Sequence, residues 1–123
     1  MKAAASWFAE LGFVIEDVSM NRVGWDLEAR RKEAHLFIEV KGTSREVEDS
    51  LVEVTPNEYE KMTSDKHRAA YRLCVVTGCE KKPEVHVFAW SAERSAWDTG
   101  DGTYQLQIEE RVAARISMSR GQG

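Results

Sequence analysis

Two carboxylates and a lysine stand out in the stretch 24–41, GWDLEARRKEAHLFIEVK. Asp26 comes first. Glu39 and Lys41 follow, separated only by Val40. The stretch reads as two adjacent strands with a turn at residues 31–34, so Asp26 falls early in one strand and Glu39 and Lys41 late in the next. Side chains alternate across a strand. Glu39 and Lys41 therefore share one face, and Val40 takes the other. The second strand is otherwise apolar (Leu36, Phe37, Ile38, Val40). A strand core has no need of two carboxylates and a lysine at its end. A hard divalent cation does, because Mg2+ takes a few carboxylate oxygens and completes its shell with water and phosphate oxygens.

The surrounding chain must hold these groups in place. Lys2 to Leu11 reads as a helix with an apolar stripe of Trp7, Phe8 and Leu11, stopped by Gly12. A first strand begins at Phe13 and runs to about Val18. Ser19 to Val23 is a turn, and Gly24 opens the next strand, either as a plain turn glycine or as a point of close backbone approach. His35, ahead of the apolar run, reads as a solvent-facing strand residue. After Lys41 a polar loop from Gly42 to Ser50 reads either as a cover over a substrate or as a disordered surface loop. Leu51 to Val54 is a short strand. Thr55, Pro56 and Glu58 form a helix start, with Thr55 as N-cap, Pro56 at the first position and Glu58 completing a capping box. That helix is expected to run to about Lys66. Tyr71 to Thr77 is almost continuously apolar, as a central strand covered on both faces would be. Val85 to Trp90 is the following strand. Trp97 reads as a lid over the core edge, with base stacking as the alternative. Tyr104 to Ile108 alternates like an edge strand, residues 108–118 are ambiguous between strand and helix, and 119–123 form a tail.

The chain has 123 residues, the size of one domain, taken here as 1–118. Cys74 and Cys79 lack zinc-type partners and read as reduced thiols of a cytoplasmic protein, Cys74 in the core. No apolar run approaches the roughly 20 residues of a membrane span, and no signal peptide is recognisable. The net charge of −4 argues mildly against a free-standing nucleic-acid binder. Basic residues are nevertheless grouped at Arg30, Arg31 and Lys32, and again at Lys61, Lys66, His67, Arg68 and Arg72. They read either as solvated faces or as contacts to phosphates.

Asp26 followed by Glu39-Val40-Lys41 resembles the PD-(D/E)XK nuclease signature. Three segments are closer to one branch of that superfamily: Gly24-Trp25-Asp26-Leu27, Ile38-Glu39-Val40-Lys41-Gly42-Thr43, and Leu51-Val52-Glu53-Val54-Thr55-Pro56-Asn57-Glu58. They resemble the domain at the C-terminus of the plant NO VEIN protein, with relatives in bacterial helicase, ATPase and restriction-type defence proteins. The resemblance spans roughly residues 2–90. It implies a restriction-endonuclease-like α/β sandwich with a mixed central sheet and a core order α-β-β-β-α-β.

It also implies metal-dependent hydrolysis of DNA, with RNA as the other candidate substrate. Asp26, Glu39 and the Val40 carbonyl would hold Mg2+ or Mn2+, and Lys41 would stabilise charge on the phosphate or orient the attacking water. Asn57, Glu58 and Lys61 become accessory candidates. Arg30, Arg31, Lys32, Thr43, Ser44, Lys66 and Arg68 become candidates for nucleic-acid contact. A homodimer or a helicase or ATPase partner is compatible with the resemblance. Relatives often carry a glutamate in the first helix that completes the metal shell. The only acid of this helix is Glu10, at its end, and Glu16 and Asp17 are the nearest substitutes. Two other readings stay open. One is a nuclease-fold module that binds nucleic acid or protein and cleaves weakly or not at all. The other is a structural domain in which Glu39 and Lys41 are only a surface ion pair.

Overall fold

A computed structural model describes residues 1–46, 52–78 and 82–109. The elements run α1 (Lys2–Glu10), β1 (Val14–Asp17), a 3-10 turn (Ser19–Asn21), β2 (Leu27–Arg31), β3 (Ala34–Gly42), α2 (Pro56–Thr63), β4 (Tyr71–Thr77), β5 (Glu84–Ser91) and β6 (Ala96–Asp98). The class is α/β. The strands form one open six-stranded sheet in sequence order. Every neighbouring pair is antiparallel except β3 and β4, which are parallel. A parallel pair needs a crossover, and α2 lies within the one that joins them.

Alternation along the strands divides the core in two. One face carries Leu27, Ala29, Ile38, Cys74 and Val76 under Ala4 and Phe8 of α1, with Val40 packed alongside. The other carries Tyr71 and Trp97 under Met62 of α2, with Trp25, Phe37 and Trp90 around them. Leu73, Val75 and Phe88 continue that second face, covered by Val52, Val54 and Tyr104. Trp97 is therefore a core residue, 3% exposed.

The helix, the central strand and the capping box form as the sequence implies. Thr55 Oγ1 accepts from the Glu58 N–H at 3.1 Å, and Glu58 Oε1 accepts from the Thr55 N–H at 2.8 Å. Other expectations fail for identifiable reasons. Of the stripe expected on α1, only Phe8 is buried. Trp7 and Leu11 are 37% and 46% exposed, because Ala4 and Phe8, four residues apart, define the inner face. The strand expected from Gly24 starts at Leu27, and Asp26 precedes it. Helix α2 ends at Thr63, where Ser64 turns extended and its hydroxyl accepts from the His67 N–H. Residues 52–54 form no strand. Both edges of β3 are already taken by β2 and β4, so the segment crosses the sheet face. A short strand, β6, forms over 96–98 and pairs with β5. The edge strand expected at 104–108 reduces to one bridge, Asp98 to Gln105. Tyr104 is instead bound into a tight turn with Thr99 through both of its backbone groups. Leu51, Cys79, residues 47–50 of the polar loop, the ambiguous segment beyond Glu109 and the tail lie outside the described residues. Among the described residues no helix is long and apolar enough to cross a membrane.

Candidate active site

Glu39 and Lys41 leave β3 on the α2 face, and Val40 packs into the α1 face, as strand alternation requires. Lys41 Nζ is a bridge. It lies 3.1 Å from Glu39 Oε2 and 2.9 Å from Glu58 Oε1. Glu58 thus has two tasks with one oxygen, capping α2 and holding the lysine.

Asp26 reaches the same place from the other side. Its Oδ2 accepts the Val40 N–H at 2.9 Å. Its own N–H donates to the Ile38 carbonyl at 2.9 Å, and its carbonyl accepts the Val18 N–H at 2.8 Å. The residue is pinned at three points although it precedes the strand. Val40's N–H faces Asp26, and a residue's N–H and C=O open to the same strand edge, so the Val40 carbonyl faces that side too. Asp26, Glu39 and Glu58 line a cavity of about 240 Å³ with Ser19, Arg22, Gly24, Trp25, Thr55 and Asn57.

The electrostatics are lopsided. Burial, together with the negative charges of Asp26 and Glu58, pushes Glu39 up to about 8, and Lys41 offsets only part of that. Burial would lower Lys41, but its bonds to Glu58 and Glu39 outweigh it and raise the ammonium. Burial would likewise raise Glu58, but Lys41 and the Thr55 N–H hold it down. Lys41 pairs with two of the three carboxylates, Glu39 and Glu58, and Arg22 is the cation among the residues that line the cavity. Among the described residues no three His, Cys, Asp or Glu side chains already close around a single point.

Other residues named from the sequence fall elsewhere. Glu10 is exposed at the end of α1. Glu16 pairs with Arg30 at 3.0 Å on the exposed edge of the sheet. Asp17 accepts from Ser19, through the backbone N–H at 2.9 Å and the hydroxyl at 2.6 Å. Neither acid of β1 lines the cavity. Asn57 does line it, and Lys61 lies against Gly24. Arg31 donates to the Leu11 carbonyl at 2.6 Å and covers the Phe13 ring. Arg68 covers the Trp90 ring. Lys32 sits in the β2–β3 turn with φ 54°, and Lys66 is exposed in the turns after α2. Thr43 donates its N–H to the Val76 carbonyl and accepts from the Arg45 N–H, and Ser44 beside it is exposed. His35 meets Glu28 at 2.6 Å, outside the cavity.

Sequence reasoning missed Ser19, Arg22, Trp25 and Tyr71. Trp25 Nε1 donates to Glu28 Oε2 at 3.1 Å, and its ring packs on Phe37. Tyr71 is fully buried, and its hydroxyl donates to the Gly24 carbonyl at 2.8 Å. Burial, then the charges of Glu39, Glu58 and Asp26, drive this phenol far above its ordinary value, so it remains a donor. A lone Tyr opening an apolar strand gives no signal in the sequence.

A family model described as Protein NO VEIN, C-terminal, matches residues 1–88, which include Asp26, Glu39, Lys41, Glu58 and Tyr71. The chain belongs to this family. No curated protein and no solved structure matches it.

Proposed function

We propose that this chain is a metal-dependent nuclease domain that hydrolyses phosphodiester bonds of DNA at the Asp26–Glu39–Lys41 site. The observation that carries the reading is the gathering of Asp26, Glu39 and Glu58 around one cavity, with Lys41 paired to two of them and Glu39 pushed up to about 8. An ionised Glu39 needs more positive charge than Lys41 supplies. The donors are hard oxygens, which suit Mg2+ or Mn2+. The element order α1-β1-β2-β3-α2-β4 supports a restriction-endonuclease-like core.

In this reading Asp26 and Glu39 hold the cation, with the Val40 carbonyl on the same side. When bound, the ion supplies charge neutralisation at the phosphate and lowers the pKa of water at the site. Lys41 presents its ammonium to the phosphate as negative charge develops there. Glu58 limits where Lys41 can go, because the same carboxylate is tied to the start of α2. Asp26, Glu39 and Glu58 repel one another without a cation, so metal affinity falls as the pH drops and protons compete for the oxygens.

The decisive experiment is cleavage of plasmid and single-stranded DNA with Mg2+, Mn2+ or EDTA, comparing wild type with Glu39→Ala and Lys41→Ala. Cleavage that needs metal and is lost in both variants supports the reading. Equal inertness of three folded proteins ends it. One observation favours a second reading, a nuclease-fold module that binds nucleic acid or a partner without cutting. Glu10 and Glu16, the acids named to complete a metal shell, contribute nothing to the cavity.

A further inference from the structure

The segment leading into Asp26 is clamped from two sides at Gly24. From α2, a Cβ at Gly24 would meet Lys61 Cγ at 2.6 Å and Asn57 Nδ2 at 3.3 Å. The backbone there has φ +100°, in the region that favours glycine. From β4, the buried Tyr71 hydroxyl donates to the Gly24 carbonyl at 2.8 Å. No regular strand bonding reaches residues 22–25, and β2 begins only at Leu27. Two residues downstream of the clamp, the Asp26 carboxylate meets the Val40 N–H.

We infer that Tyr71 is a positioning residue: its hydroxyl, through the Gly24 carbonyl, fixes the Gly24–Asp26 segment so that the Asp26 carboxylate stays on the Val40 N–H and open to the cavity. The inference rests on the nuclease reading for its purpose but not for its geometry. Tyr71 comes from a central strand of the sheet and extends the hold on this segment back to Gly24, ahead of the bonds that Asp26 makes to Val18, Ile38 and Val40. Its ring is held by Trp97, 6.3 Å between centroids and nearly perpendicular. The phenol is therefore located before it bonds, which is what a positioning group requires.

The test is Tyr71→Phe, which deletes one oxygen and keeps the ring. Thr77→Val is the control, because Thr77 lies on the same strand, is equally buried and bonds His86 instead. Amide hydrogen exchange at Val40, taken relative to Cys74 at the centre of β4, reads the Asp26 contact without any metal. It should quicken about 10-fold in Tyr71→Phe and stay as in wild type in Thr77→Val, since local opening is measured residue by residue. Mn2+ affinity should fall about 10-fold in Tyr71→Phe alone, the low end for groups that orient ligands. Unchanged relative exchange at Val40 in Tyr71→Phe, or equal quickening in Thr77→Val, overturns the inference. If wild type binds no Mn2+, the nuclease reading fails, and the Val40 exchange still decides the role of Tyr71.

Discussion

The two faces of strand β3 are made by the same nine residues and have opposite characters. Toward α1, Ile38 and Val40 join Ala4, Phe8, Leu27 and Cys74 in an apolar core. Toward α2, Phe37 is followed by Glu39 and Lys41, and the aromatic core gives way to the cavity. The α1 face is stabilised by burying apolar area. The α2 face spends part of that stability to keep a carboxylate, Glu39, 4% exposed among other negative charges. A protein tolerates such a face where the other makes up the loss, so changes on the two faces should separate stability from binding.

The largest effect should come from the apolar face. Phe8→Ala empties a position that is 2% exposed, and such truncations cost about 3–5 kcal/mol. Denaturant unfolding should show that loss, while the folded fraction binds Mn2+ within about 2-fold of wild type, because distant sites act independently. A large loss of affinity in the folded protein would erase the distinction between the faces.

Next in size is the pH dependence of Glu39. Its folded value is raised to about 8, above the ordinary carboxyl value of 4.5. The fold binds this proton more tightly than the unfolded chain does. Its contribution is therefore fully present below about pH 4.5 and is lost as the pH rises toward about 8. Glu39→Gln removes the titration. It should match wild type near pH 4 and exceed it by roughly 2–4 kcal/mol at pH 9, with the relief by Lys41 already counted in the value of about 8. Saturating Mn2+ should then raise wild-type stability by about 2–3 kcal/mol, as for a ligand at about 100 times its Kd, and leave Glu39→Gln unmoved. Parallel pH profiles for the two proteins would remove the electrostatic cost assigned to this face.

The apolar face was legible in the sequence because its signals are local. The apolar runs in 36–40 and 71–77 and the alanine-rich start of the chain lead directly to strands and a helix. Glu39, Val40 and Lys41 were legible for the same reason, since spacing two apart on a strand means one face. The rest of the site depends on contacts between distant elements. Tyr71 and Gly24 are 47 positions apart and bond through a backbone carbonyl, which no residue pattern records. The local pattern marked Glu58 as a helix cap, and only the family resemblance made it an accessory candidate, because a capping box is local and the bond to Lys41 is not. Trp7 was misplaced because hydrophobicity marks a stripe, whereas burial depends on which side of the stripe meets the sheet.

The double role of Glu58 allows a finer separation within the α2 face. Thr55→Ala removes the cap hydroxyl and should cost about 1 kcal/mol. Glu58→Gln keeps an amide oxygen that can still serve the capping box, so the helix should lose under about 0.5 kcal/mol while Lys41 loses a charged partner. Thermal unfolding and Mn2+ titration together check this, with Thr55→Ala moving mainly the first and Glu58→Gln mainly the second. If both variants change both properties in proportion, the cap and the site are one cooperative unit.

The smallest effect should belong to Arg30, which sits on the α2 side but away from the cavity. Its pair with Glu16 is exposed at both ends, 51% and 58%, and such pairs contribute about 0–1 kcal/mol. Arg30→Ala should shift the unfolding midpoint by about the error of the measurement and leave Mn2+ affinity unchanged. Its effect on DNA affinity is the informative one. A DNA contact would make the dependence of binding on salt shallower by about one unit of log–log slope, as loss of one phosphate contact does. An unchanged slope would mean that Glu16 and Glu28 already neutralise Arg30, which confines what the α2 face does for nucleic acid to the cavity and its rim.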